Sequence, residues 1–294
     1  MKFKRGLVKR KMAKIIDGKT ISLDIKNEVK QIAENLVEKG VKPCLAVILV
    51  GQNPASQVYV RNKKTACEYC GIKSLSYELD ESISEKELLD LIDKLNENKE
   101  CNGILVQLPL PKHIDENKVL LRISPEKDVD GFHPYNVGLL SIGKAELKAC
   151  TPAGCIELIK RSGVDISGKN CVVVGRSNIV GKPVSMLLLA ENGTVTICHS
   201  KTKDIKAVCK EADILVAAVG IPNFIKGDMV KEGVVVIDVG INRLENGKLC
   251  GDVDFEEVEK KASYITPVPG GVGPMTIAML MKNCIVACKN QNNI

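Results

Sequence analysis

Strand-like runs alternate with helical patterns along almost the whole chain, and this alternation restricts the fold more than any other feature. Short apolar runs at residues 44–50, 74–79 and 103–108 are separated by helix-period stretches at 54–70 and 84–98. A helix at 21–38 precedes them and another at 116–122 follows. The second half repeats the cadence with β-branched runs at 170–174, 194–198, 213–219 and 234–239. Such a rhythm predicts an α/β protein with parallel sheets and crossover helices. With 294 residues there is enough chain for two cores. The boundary is expected near Cys150, where Thr151 and Pro152 read as the cap and first-turn proline of a new helix. A last helix at 274–289 follows the glycine- and proline-rich turn 266–274 and is expected to return to the first domain. The expected units are therefore 12–150 with 274–294, and 151–273, with no long linker and no internal repeat.

The formal charge of +6 invites a nucleic-acid reading, so its location matters. Lys2, Lys4, Arg5, Lys9, Arg10 and Lys11 carry all of it, leaving 36 basic against 36 acidic residues elsewhere. A balanced body has no global field for polyanions, which points to a small-molecule partner and no nucleic acid. The basic segment 1–11 lacks the apolar core of a secretory signal and reads as a disordered extension of open role. No apolar run approaches the roughly 20 residues of a membrane-spanning helix. The twelve cysteines lie singly in apolar patterns, which fits reduced thiols and a cytoplasmic setting. Cys67 and Cys70 have the spacing of half a zinc site but no second pair, so packing is expected and no metal.

The run 170–174 is followed by Gly175-Arg176-Ser177-Asn178-Ile179-Val180-Gly181-Lys182-Pro183 and an apolar helix. Strand, glycine turn and helix bring main-chain N–H groups and a helix N-terminus to a pyrophosphate. The spacing departs from GxGxxG, and alone it is weak evidence. In enzymes that use NAD, an acid at the end of the next strand binds the ribose 2′-hydroxyl. Here that strand ends Cys198-His199-Ser200-Lys201-Thr202, without a carboxylate. Those groups, together with Arg176, favour a 2′-phosphate and hence NADP as cofactor.

In the first half, Asn53 and Pro54 read as a helix N-cap and first residue. Tyr59 and Lys63 then lie four apart, on one helix face. A Tyr-x-x-x-Lys pair also occurs in short-chain dehydrogenases, but there it follows the glycine turn, whereas here it precedes Gly175. Gln107 is the one polar residue near the carboxyl end of a buried strand, where open parallel sheets bind ligands; it could equally satisfy backbone groups. Asp128-Val129-Asp130-Gly131 is either a binding turn or a structured loop with Asp130 bonded to its own backbone. A two-domain amino-acid or shikimate-type dehydrogenase, or a nucleotide-sensing protein, remains compatible with these elements taken singly.

Taken in order, residues 50–56, 59–63, 103–111, 128–136, 175–183, 238–242 and 266–276 resemble the FolD family of bifunctional folate dehydrogenase/cyclohydrolases. The resemblance runs over nearly the whole chain from Met12. It implies a folate-binding catalytic domain, a Rossmann-type NADP domain, tetrahydrofolate substrates, a homodimer, and a place in one-carbon metabolism and purine biosynthesis. By the same resemblance Lys63 is the catalytic lysine, Gln107 its partner, Tyr59 a contact to the substrate ring and Asp130 the pterin anchor. Val106, Leu108, Pro269, Gly270 and Gly271 border the folate, and Gly175, Arg176, Ser177, Ser200 and Ile241 contact NADP. An ammonium becomes a base near neutrality only when burial or a neighbouring cation disfavours its charge, so Lys63 is expected to be partly buried.

Overall fold

The computed structural model describes residues 12–294; the basic extension 1–11 and the disorder expected for it lie outside the described residues. The described residues begin with β1 (Lys14–Ile15) and α1 (Gly18–Glu38). It then alternates β2 (Cys44–Val50), α2 (Pro54–Cys70), β3 (Lys73–Leu79), α3 (Glu85–Glu97), β4 (Gly103–Val106), α4 (Glu116–Arg122) and α5 (Pro134–Ser141). The strands form a parallel sheet in the order β3-β2-β4. All seven residues of β2 are buried, which is why its sequence is apolar throughout: a central parallel strand is covered on both faces. Local polar groups set the helix starts. Asp17 accepts the N–H groups of Lys19 and Thr20 at α1, Asn53 accepts that of Ser56 at α2, and Ser84 with Glu87 closes a capping box on α3.

The second half contains α6 (Cys150–Arg161), β5 (Asn170–Val174), α7 (Gly181–Ala190), β6 (Thr194–Cys198), α8 (Ile205–Lys210), β7 (Ile214–Ala217) and β8 (Val235–Asp238). A hairpin of β9 (Asn242–Arg243) and β10 (Leu249–Cys250) follows, then α9 (Phe255–Val258), β11 (Tyr264–Ile265) and α10 (Val272–Gln291). The main sheet is parallel, in the order β1-β11-β8-β7-β5-β6. Its edge strand β1 comes from the start of the chain, Lys14 and Ile15 pairing with Tyr264 and Ile265.

The start of α6 differs from the sequence expectation. The helix begins at Cys150 and its cap, Ala149, makes no side-chain bond. Thr151 does not cap it, because its hydroxyl is engaged 2.9 Å from that of Thr276 on α10. That last helix packs on α1, α6 and α2. Its buried Asn283 donates through Nδ2 to the carbonyls of Val129 and Lys148, both at 2.8 Å, so α10 grips the turn that carries Asp130. The described cysteines are all free thiols, and all but Cys250 are buried. Burial pushes the Cys67 thiol up to about 12 and Cys70 to about 11, values of packed rather than reactive sulfur. Among the described residues no helix is long and apolar enough to cross a membrane.

Lys127 is nearly fully buried, and desolvation holds its ammonium below the usual lysine range. Its Nζ donates to the carbonyls of Leu95, Asn96 and Asn98 at 3.0, 2.7 and 2.8 Å. The charge thus closes the C-terminus of α3, where cations are favoured, and pins the segment leading to Asp130. Replacing Lys127 with Met keeps much of the volume but takes the ammonium donor from three carbonyls, of which that of Asn98 keeps the Cys101 N–H. Urea unfolding is expected to show a loss of about 2–4 kcal/mol; a loss below about 1 kcal/mol would contradict this role.

Candidate active site

Lys63 sits in the middle of α2, on the face turned to the sheet, with a relative exposure of 9%. Its Nζ donates to Oε1 of Gln107 at 2.9 Å. Gln107 follows the last paired residue of β4, which ends at Val106 rather than at the expected 108. Its own N–H still bonds the Ile48 carbonyl at 2.8 Å, and its Nε2 donates to the Leu108 carbonyl at 2.7 Å. That second bond fixes which end of the amide faces the amine. The pair lies beyond the carboxyl end of β4, the usual ligand side of a parallel sheet. Tyr59 is one turn earlier on α2 with half its surface exposed. Val106 is buried in the core, Leu108 is half-buried, and the peptide bond from Leu108 to Pro109 is cis.

The acids of the 128–131 turn divide differently from the plain-loop alternative. Asp128, not Asp130, makes the local bonds: it accepts the N–H of Gly131 at 3.1 Å, that of His133 at 2.8 Å and the Asn136 amide at 2.9 Å. Asp130 is left without such bonds among the described contacts and is desolvated, which pushes its carboxyl up to about 6. Nearby Lys63 opposes that rise and Asp128 adds to it. Lys63 thus bonds Gln107 and lies within electrostatic reach of Asp130.

A second group lines a cavity of about 540 Å³ beyond the ends of β5, β6 and β7. Gly175, Arg176, Ser177 and Ser200 all border it, with His199, Thr202, Val219 and Phe224. Gly175 is required sterically: its φ is +127°, and a Cβ there would lie 2.1 Å from the Ala218 carbonyl oxygen. The wall carries cationic and hydroxyl groups and no carboxylate, so it fits an anion-bearing nucleotide. Lys201 is exposed and not part of that wall; its N–H instead bonds Nδ1 of His199 at 3.1 Å.

Ile241 is separated from the other nominated cofactor contacts. It borders a neighbouring cavity of about 190 Å³ together with Pro269, Gly270 and Gly271. The peptide bond from Val268 to Pro269 is cis.

Models of the tetrahydrofolate dehydrogenase/cyclohydrolase catalytic domain and of its NAD(P)-binding domain match residues 16–130 and 149–292. The chain belongs to this family. Bifunctional protein FolD from Agathobacter rectalis is 66% identical over 278 residues, covering 95% of this chain and 100% of its own. The crystal structure of the bifunctional FolD dehydrogenase/cyclohydrolase from Campylobacter jejuni superposes with a TM-score of 0.92 at 55% identity, covering 95% and 99% of the two chains. The Trypanosoma brucei FolD, solved with NADP cofactor and an inhibitor, gives 0.91 at 41% identity over 97% and 100%. The two-domain α/β architecture with its C-terminal helix is thus that of the tetrahydrofolate dehydrogenase/cyclohydrolases.

Within this family framework, sequence reasoning overlooked several residues at the cavities. Lys19, at the start of α1, borders the smaller cavity with Gly270, which is 251 residues further along the chain, and a charged residue in a first helical turn carries no distinguishing signal. Val219 reads as the end of the strand 213–219, and Ile221 and Phe224, in the loop beyond it, carry no signal other than their apolar side chains. His199 and Thr202 were within the strand-end segment already singled out, but not assigned to the wall.

Proposed function

We propose that this enzyme oxidises 5,10-methylenetetrahydrofolate to 5,10-methenyltetrahydrofolate with NADP and hydrolyses that product to 10-formyltetrahydrofolate. The observation that carries the reading is the buried Lys63 amine, held by Gln107 beside a desolvated Asp130, in a chain of this family. Residues 12–150 with 274–294 act as the folate-binding unit, apart from β1, which pairs into the sheet of the other unit, and 151–273 as the NADP-binding unit. Pro269, Gly270 and Gly271, with Val106 and Leu108, border the folate, and Tyr59 meets its ring. Gly175, Arg176, Ser177, Ser200 and Ile241 would hold NADP.

When bound, NADP supplies the hydride acceptor. Hydride leaves the carbon between the two folate nitrogens, whose lone pairs stabilise the methenyl cation, so this step requires no proton transfer and the protein contributes mainly positioning. Hydrolysis is different. As water adds to the methenyl carbon, Lys63 takes a proton from it. The second water proton passes to the leaving ring nitrogen as the carbon–nitrogen bond breaks, and one proton is released overall. Gln107, itself oriented by the Leu108 carbonyl, keeps the amine in place through a neutral acceptor. Asp130 anchors the pterin through its carboxyl group.

The enzyme works as a cytoplasmic homodimer in one-carbon metabolism and supplies purine biosynthesis. The buried free thiols support a reducing compartment. The charge balance outside residues 1–11 gives no field for nucleic acid.

The direct test is a paired assay of both reactions with NAD and with NADP, following methenyl absorbance. The catalytic efficiency with NADP is expected to exceed that with NAD by about 10-fold or more, the worth of one charge-assisted contact to the 2′-phosphate. Equal efficiencies would overturn the cofactor assignment, and no methenyl signal the whole reading. A folded Lys63→Ala protein is expected to lose about 10²-fold or more of its hydrolase rate; a native rate would remove Lys63 from the chemistry. Because the Asp130 carboxyl is raised to about 6, it is neutral below that pH and charged above it. The kcat/KM for methylenetetrahydrofolate should therefore rise with pH through about 6, since that ratio reports groups of the free enzyme. Asp130→Asn should lose this limb, and its persistence would assign the limb to another group.

A further inference from the structure

Asp252 is fully buried just after the β9–β10 hairpin, and none of the chemistry above uses it. Its Oδ2 accepts the N–H groups of Val219 and Gly220 at 2.6 and 2.9 Å. Its Oδ1 accepts the Asn242 amide at 2.9 Å, and its main-chain carbonyl accepts the N–H of Ile225 at 2.9 Å. Val219, Gly220 and Ile225 belong to the loop that follows β7, and Asn242 opens β9 at the end of the loop that follows β8. The first loop lines the 540 Å³ cavity through Val219, Ile221 and Phe224, and the second places Ile241 on the adjoining cavity. One carboxylate therefore ties together the walls of both.

Asp252 is in turn held by Asp238 at the end of β8. Asp238 accepts the N–H of Asp252 at 2.9 Å, of Gly240 at 3.0 Å and of Val253 at 2.9 Å. The packing leaves no tolerance. A Cβ at Gly240 would lie 2.2 Å from Asp252 Oδ1, and one at Gly251 would lie 1.8 Å from Asp238 Oδ2. Burying a carboxylate is costly unless hydrogen bonds saturate it, and here the saturating donors come largely from the cavity loops.

We propose that Asp252 is a positioning residue for the dehydrogenase step: it holds the Val219–Gly220 and Ile241–Asn242 loops in register so that NADP meets a preformed slot. The inference rests on the NADP reading given above. It separates the two activities, because hydrolysis of the methenyl substrate consumes no cofactor. A residue acting through the slot raises the KM for NADP and spares hydrolysis, whereas a residue that merely supports the fold lowers both together.

The experiment compares the wild type with Asp252→Asn, measuring the KM for NADP, the hydrolase kcat without cofactor and the thermal midpoint. An Asn can still accept from Val219 and Gly220 but turns an NH₂ donor towards the Asn242 amide. The expected result is a KM for NADP raised about 10-fold, from weakening hydrogen bonds to a charged group, with hydrolase kcat within about twofold. An unchanged KM, or a parallel fall of both activities, overturns the proposal. If Asp252→Asn fails to fold, Asn242→Ala decides, since it cuts only the tie to the Ile241 loop. A raised KM for NADP with native hydrolysis supports the proposal, and an unchanged KM overturns it. A wild type without NADP-dependent oxidation would instead sink the cofactor reading itself.

Discussion

The hydrogen bond from Lys63 to Gln107 is the constraint around which the first half of the molecule is organised. It joins the middle of α2 to the carboxyl end of β4, two elements 44 residues apart. Each partner depends on a different part of the core. The amine is buried because α2 packs its sheet-facing side beside the fully buried β2. The amide is oriented because Gln107 stays bonded to Ile48 and Leu108 just past the strand. Asp130 comes within electrostatic reach of the amine on a turn that Lys127, Asp128 and Asn283 hold from three sides. A positive charge that caps the end of α3, a carboxylate within the turn and an amide on α10 thus converge on the placement of one carboxyl group.

The second half solves a separate problem, that of receiving an anionic nucleotide without competing negative charge. Its parallel strands deliver Gly175, Ser200 and the loop at 218–224 to one end of the sheet. The carboxylates in this region, Asp238 and Asp252, are turned inward and saturated by N–H groups. Inside the wall they fasten loops, and on its surface they would repel phosphate. This division explains how a region so rich in structural acid can present a basic and hydroxylic face.

Much of the fold could be read directly from residue patterns. The strands at 44–50, 170–174 and 194–198 and the helix at 54–70 have their expected limits because continuous apolar runs and the Asn53–Pro54 cap are local signals. Misreadings occurred where a distant contact decided the outcome. Thr151 failed as a cap because Thr276 takes its hydroxyl. For the 128–131 turn the residues left a binding role and a plain loop open, and the local bonds of that turn fall to Asp128, which Asn136 returns to meet. A two-residue strand such as β1 carries no period at all, and it exists because Tyr264 and Ile265 offer it an edge. The role of Asp252 depends on partners up to 33 residues away, a relation no spacing rule encodes.

The most direct measurement is a crystal structure of the enzyme with a folate substrate analogue and NADP bound together. The expected result places Lys63 Nζ within about 2.6–3.2 Å of a polar atom next to the one-carbon bridge, or one water away, with the bond to Gln107 retained. An analogue seated elsewhere, or a Lys63 amine directed away from it, would contradict the view that this buried pair is where the chemistry happens.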